Sequence, residues 1–262
     1  MFAPAPELKI LRRMNYISDQ KGILRRYLRE EDGWSDHLNK AGSFIKEVLQ
    51  SNDFDHIVVL GSGWLLDFPI ESILRSVKRI SLVDVHIPPQ IRRKSENLNG
   101  VEFIEADITG GFIGSVYKQL KQGRAGFTIP DDIEIPRIVP EKGKLVLSLN
   151  ILNQLDILLV DYIRKKVDCD EELIMKFRRV LQESHVNMLQ EHPFILMTDY
   201  MEILINSHGK VLEEKELIFT RIPSGELVRE WEWQFDSKRL YNSHANTNMK
   251  VKAVFSKSPQ KL

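Results

Sequence analysis

One cysteine, Cys169, is all that 262 residues contain. That excludes an intrachain disulfide, and a single thiol reads as a bystander, not a metal site. An excess of either charge is missing too. Lys plus Arg and Asp plus Glu both number 37, so no whole-molecule field draws in nucleic acid and only local patches remain for such a partner. Long apolar runs are also absent. The most apolar stretch, 151–160, is interrupted by Asn153, Gln154 and Asp156, and nothing approaches the ~20 residues of a membrane span. The first residues lack a basic region followed by an apolar one, so no signal peptide is expected. The expectation is a cytoplasmic protein with no membrane partner. No His, Cys, Asp or Glu grouping has metal-site spacing, so no metal is expected. No Gly-x-Ser-x-Gly elbow, Walker loop, internal repeat or low-complexity tract occurs. What is present is 42% hydrophobic and 28% charged residues, the balance of a globular chain with a real core. The length fits one α/β domain with an extension.

The extension comes first. Residues 7–50 read as helical, with Leu8, Ile10, Leu11 and Met14, then Ile23, Leu24, Tyr27 and Leu28, at helical spacing. A third helix is expected from about Ser35 as N-cap, through Leu38, Ala41, Phe44, Ile45 and Val48. Arg12, Arg13, Lys21, Arg25, Arg26 and Arg29 make this segment basic, but Glu30, Glu31 and Asp32 offset them. A solvated face is the better reading than an RNA surface.

From residue 56 the pattern changes. His56–Leu60 is apolar on both faces, as a buried parallel strand requires. Further strands are expected at Arg79–Asp84, Val101–Asp107, Lys144–Asn150 and Phe194–Asp199. Helices are expected between them, near Pro69–Ser76, Pro88–Leu98, Phe112–Lys121, Leu155–Lys166 and Glu171–Glu191. Such alternation predicts a doubly wound parallel sheet. Residues 123–143, with Pro130, Pro136 and Pro140, read as a long loop on the edge away from any site. The end of the chain switches to period two. Leu227–Phe235 and the stretch Met249–Phe255 predict antiparallel strands, and a further strand is expected near Glu216–Arg221.

Three strand ends carry ligand-type groups. Gly61-Ser62-Gly63 follows the first buried strand, Asp84 ends the second and Asp107 the third. Glycines let a ligand approach the backbone. Ligands of open parallel sheets lie beyond the carboxyl ends of the strands. Asp84 stands 23 residues after Gly61, near the ~20 expected of an acid that accepts from ribose hydroxyls.

With these residues in view, 35–256 resembles a class I S-adenosylmethionine (SAM)-dependent methyltransferase. Val58–Gly63 looks like that family's first motif, Leu82-Val83-Asp84 like its ribose-binding acid, and Ala106-Asp107-Ile108 like its adenine segment. The resemblance implies a Rossmann-like, mostly parallel sheet with antiparallel C-terminal strands. It implies a methyltransferase domain over 51–262, a helical N-terminal extension or lid over 1–50, and SAM as cofactor. Cofactor contacts are then expected from Gly61, Ser62, Gly63, Asp84, Val85, Asp107, Ile108 and Asn150. The sequence departs from the pattern at Leu65, where a third glycine is common, and at Val59, where an acid is common. Ser148–Leu152 lacks the Pro-Pro signature of many amino-group methylating enzymes. A non-catalytic scaffold with this fold stays open as an alternative. A nicotinamide dehydrogenase is disfavoured by Leu66, where a glycine would be needed.

Asn150 is the leading candidate beside the reacting centre, with Gln154, Asp199 and Tyr200 as acceptor contacts. The acceptor itself, whether small molecule, protein or RNA, is left open. Trp34, Trp231 and Trp233 are expected in the core and His37 at the surface. His185, inside a helix, is not expected to be a base. His192, before Pro193, is expected to favour its helix end as a cation.

Overall fold

The computed structural model describes residues 2–121, 126–130, 138 and 141–257. Five parallel strands form its centre: β2 (His56–Leu60), β3 (Arg79–Asp84), β4 (Val101–Asp107), β5 (Lys144–Leu149) and β6 (Phe194–Ile205). Their order is β4-β3-β2-β5-β6, so the chain reverses its direction of travel between β2 and β5. That reversal is the topological switch point of a doubly wound sheet, where a crevice opens beyond the strand ends. β9 (Asn246–Ser256) lies antiparallel to β6, and β8 (Leu227–Asp236) antiparallel to β9. The Rossmann-like fold with antiparallel C-terminal strands is therefore present. Every residue of β2 and β5 is buried. Burial on both faces explains why these two strands read as largely apolar runs, interrupted at His56, Lys144 and Ser148.

Helices cover both faces. α3 (Glu31–Gln50) and the short α4 (Ile70–Ile73) pack on one face, where Phe44, Ile45 and Val48 meet Ile57, Val59 and Leu147. On the other, α8 (Glu171–Gln190) lays Val186 and Leu189 against Val58, Leu60 and Val146. α6 (Phe112–Lys121) and α7 (Ile157–Lys166) pack with α8 through Phe112, Val116, Leu159, Ile163 and Phe177. α5 (Pro89–Ser95) links β3 to β4.

The N-terminal stretch forms β1 (Ala3–Pro4), antiparallel to the end of β4, then α1 (Leu8–Arg13) and α2 (Tyr16–Arg29). Arg13 donates to the Tyr117 hydroxyl at 2.7 Å, and the Arg26 guanidinium lies 4.4 Å from the Phe235 ring centroid. Arg26 is half-buried, whereas Arg12, Arg13, Arg25 and Arg29 are exposed. No described helix is long and apolar enough to cross a membrane.

Several expectations are corrected. α3 begins at Glu31, four residues before the expected cap. The Ser35 hydroxyl instead bonds back to the Asp32 carbonyl at 2.9 Å. The helix starts early because Trp34 is anchored in the core, its indole donating to the Phe235 carbonyl at 3.0 Å. The strand expected near Glu216–Arg221 lies earlier, as β7 (Val211–Glu216), an edge strand on β6 that is exposed throughout. β6 runs to Ile205, because β7 and β9 pair with its far half. The helices expected at Pro69–Ser76, Pro88–Leu98 and Leu155–Lys166 are shorter, the last preceded by a one-turn 3-10 helix at Leu152–Gln154. Of the loop 123–143, Phe127 and Ile138 are buried, while Pro136 and Pro140 lie outside the described residues.

Candidate functional site

Gly61 holds φ +76°, and a Cβ there would meet the Ile151 Cβ at 2.8 Å. Only glycine fits both the backbone and the space. The turn is then latched from β3, where an Asp84 oxygen accepts the Gly63 amide at 2.8 Å. Leu65, at the position of the missing third glycine, adopts φ +53° without being glycine. The departure in sequence is thus not a departure in backbone. The Ser62 hydroxyl is buried and has no partner.

The Asp84 carboxyl is pushed up by burial and drawn back by the amides of Gly63, His86 and Val85. Its oxygens keep lone pairs beyond those that grip the turn. Asp107 is fully buried and accepts from the Thr109 amide (2.9 Å) and hydroxyl (2.5 Å). Burial raises its carboxyl to about 6. Val85 and Ile108 follow these acids as apolar neighbours, Val85 half-buried and Ile108 buried. The Tyr16 hydroxyl of α2 is buried near Asp107 and Asp156, and it too lacks a partner.

At the switch point the chain leaves β5 through Asn150, which holds φ +47°. Its amide donates to the Met197 carbonyl at 2.8 Å, and Gln154 Nε2 donates to its carbonyl at 2.6 Å. Gln154 therefore braces the turn that presents Asn150. Asn150 Nδ2 reaches across to Asp67 Oδ2 at 2.8 Å. Asn153 Nδ2 donates to Asp199 Oδ2 at 3.3 Å. Burial, and then the neighbouring Asp67 charge, pushes the Asp199 carboxyl up to about 7. Asp67 is raised as well, chiefly by burial. The structure thus brings Gly61, Ser62, Gly63, Asp84, Asp107, Asn150, Gln154 and Asp199 to one end of the sheet. Tyr200 points elsewhere, its hydroxyl 3.4 Å from Glu230 on the exposed face. Asp67 and Asn153 carry no motif of their own. Their only signal in the sequence was nearness to Gly63 and Asn150.

α2 lies over this end. Trp64, in the glycine loop, donates its indole N–H to the Gln20 carbonyl at 2.6 Å. Gln20 Nε2 donates in turn to the His86 carbonyl at 2.8 Å. One residue of α2 therefore ties the loop after β2 to the loop after β3. A cavity of about 380 Å³ runs along one face of the sheet, from His56, Arg79 and Lys144 at the strand starts to Ala106 and Pro4 near the end of β4.

His37, His185 and His192 stand apart from the site, whereas His86 lies in the loop after β3. His37, expected at the surface, is buried, stacks on Trp233 at 4.0 Å and accepts from the Trp231 indole at 3.1 Å. Burial lowers it to about 3, so it is a neutral part of the aromatic core. Trp34 and Trp233 are in that core, as expected. His185 pairs with the Ser148 hydroxyl at 2.8 Å under β5. His192 is buried, and burial pushes its imidazole down. That removes the cation that the helix dipole would have favoured. Among the described residues no group of His, Cys, Asp and Glu could hold a metal ion.

No family model matches the chain, and no curated protein matches it. Among solved structures it is similar to the N-methyltransferase NodS from Bradyrhizobium japonicum WM9 in complex with S-adenosyl-L-homocysteine (SAH). The identity is 12%, over 83% of this chain and 86% of that one, with a TM-score of 0.41. The 1,6-didemethyltoxoflavin-N1-methyltransferase of Burkholderia thailandensis, also with SAH, is similar at 10% identity over 90% and 87%, with a TM-score of 0.39. A putative S-adenosylmethionine-dependent methyltransferase from Listeria monocytogenes is similar at 12% identity over 84% and 100%, with a TM-score of 0.33. These likenesses are distant, and the reading of the site rests on this chain's own residues.

Proposed function

We propose that this chain is a SAM-dependent methyltransferase. One observation carries the reading. At the switch point of a doubly wound sheet, a glycine turn that no side chain fits is latched to an acid ending the next strand. The site suits the cofactor's parts. The Gly61–Gly63 turn, with its buried, unpartnered Ser62 hydroxyl, offers bare backbone for close approach. Asp84 has acceptor capacity for a ribose, and Asp107, Val85 and Ile108 frame the adjoining region for a flat base. The cofactor, when bound, supplies an activated methyl group. The protein's work is to position the acceptor against it. Leu66 disfavours a pyrophosphate-bearing dinucleotide, which asks for a glycine there.

In the same reading, α1 and α2 act as a lid through Gln20, while α3 belongs to the body of the domain. The expected extension over 1–50 thus divides at about residue 30. The site serves a reaction carried out away from any membrane.

Calorimetric titration with SAM, SAH and NAD tests the reading. Micromolar binding of SAM and SAH is expected, with none of NAD. Asp84→Ala in a folded variant should weaken SAH at least tenfold, since an acid bound to ribose hydroxyls makes charge-assisted hydrogen bonds. Unchanged SAH affinity in that variant would remove Asp84 from the site.

A further inference from the structure

Four side chains meet near the β5 and β6 ends, apart from Asp84 and Asp107: Asp67 from the loop after β2, with Asn150, Asn153 and Asp199. Their hydrogen bonds set their orientation. Each asparagine turns its N–H₂ group toward a carboxylate, Asn150 to Asp67 and Asn153 to Asp199. Each must therefore turn its carbonyl oxygen away from that carboxylate. Asn150 Oδ1, Asn153 Oδ1 and Asp199 Oδ1 are all buried and without a partner among the described residues. Asn153 is 5% exposed and Asp199 4%. Among the described residues neither Asp67 nor Asp199 forms an ion pair with a Lys or Arg.

The chemistry of this set is one-sided. Three oxygens are free to accept, whereas each asparagine N–H₂ already donates to a carboxylate. Buried polar groups are otherwise satisfied in nearly every protein. A ligand that completes the set must bring hydrogen-bond donors, and beside two carboxyls without a cation a positively charged N–H donor is favoured over a neutral O–H.

The place in the fold separates this set from the nucleoside half of the site. Asp84 and Asp107 end β3 and β4, on one side of β2, whereas Asp199 lies on β6, beyond β5 on the other side. The β6 ladder to β9 shifts register between Asp199 and Met201. A bulge of this kind re-aims a side chain next to a site.

We propose that Asp67, Asn150, Asn153 and Asp199 form the acceptor subsite and that the acceptor is an amine. This rests on the methyl-transfer reading and adds the substrate class to it. The amine enters as an ammonium whose three N–H groups donate to Asp199 Oδ1, Asn153 Oδ1 and Asn150 Oδ1. One of its protons passes to the Asp199 carboxylate, which frees the nitrogen lone pair. On transfer, that lone pair forms the new N–C bond and the old C–S pair stays on sulfur. A carboxyl raised to about 7 by burial and by Asp67 can hold that proton near neutral pH.

The probe is sinefungin, a SAM analogue in which a carbon bearing a protonated amine replaces the sulfonium and its methyl. SAH has the same frame without that amine, so the affinity ratio of the two ligands reports the surroundings of the methyl position. Wild-type protein should bind sinefungin about tenfold more tightly than SAH. Asp199→Asn should erase that preference while leaving SAH within about twofold. Asp67→Asn, a second isosteric change, should reduce it in the same direction. Retained SAH binding shows that each variant is folded. An unchanged sinefungin-to-SAH ratio in both variants overturns the proposal. So does equal weakening of both ligands, which would assign the carboxyls to the α-ammonium that the two ligands share. If the wild-type protein binds neither ligand, the methyl-transfer reading itself fails, and the amine subsite with it.

Discussion

Two groups of buried carboxyls lie on this side of the sheet, and they are partnered differently. Asp156, just before α7, is fully buried. It receives Arg178 Nε at 2.5 Å and Gln182 Nε2 at 2.9 Å. Gln182 also donates to the Leu217 carbonyl and accepts the Phe219 amide, while Arg178 stacks 4.2 Å from the Phe219 ring centroid. Among the described residues Asp67 and Asp199 each receive one asparagine amide besides a backbone amide, and oxygens around them stay unpaired. Asp156 and Asp199 are both buried, so burial alone does not separate the two. The separating feature is the cation, present beside Asp156 and absent beside Asp199. Asp156 carries its own counterion, and in the proposed reading Asp199 leaves that place to a ligand.

The sharpest way to break this contrast is to remove the counterion. Arg178→Met leaves Asp156 buried and unpaired, and should cost about 3 kcal/mol of stability by denaturant unfolding. A cost below about 1 kcal/mol would mean that the two groups are alike. Asp199→Asn, by contrast, should leave stability at pH 8 unchanged or raised, since it deletes a charge that has no counterion.

Next in size is the glycine turn. Gly61→Ala places a Cβ 2.8 Å from Ile151 and keeps φ +76° on a side chain that resists it. The strain should cost on the order of 1–3 kcal/mol, and SAH binding should fall more than tenfold. Normal SAH affinity in this variant would show that the turn is not part of the ligand's bed.

The smallest expected effect is on pH dependence. The Asp199 carboxyl sits near 7 in the folded chain, against roughly 4 when unfolded. Between those values the folded state binds the extra proton, so this group's contribution to stability falls as pH rises from about 4 to about 7. Asp67, which faces Asp199 and is raised too, adds to the same trend. Unfolding curves from pH 4.5 to 7.5 should therefore have a shallower decline in Asp199→Asn. An identical profile would place the carboxyl nearer water than the structure does.

The parallel core was legible because strands buried on both faces must be largely apolar, as Ile57–Leu60 and Leu145–Leu147 are. The acids at the ends of β3 and β4 were legible because a strand end fixes where its last side chain stands. The start of α3 was not. Glu30 precedes that helix, and its carboxylate accepts from the amide and hydroxyl of Ser237, two hundred residues away. His37 was misplaced for a similar reason, since its surroundings are Trp231 and Trp233 on β8. β7 escaped because all its residues are exposed, which leaves no period to read. Asp67 escaped because a loop acid acquires meaning only when Asn150, from a strand 83 residues later, closes on it.

The link from Trp64 through Gln20 to His86 bears on time as well as shape. In the proposed reading, the helix that Gln20 bonds to both loops has to release before the ligand enters. Association should then be limited by an opening step within the protein. In stopped-flow mixing, the observed rate should level off at high SAH concentration instead of climbing in proportion. Gln20→Ala, with one tether cut, should raise that plateau and shorten the residence time of the product.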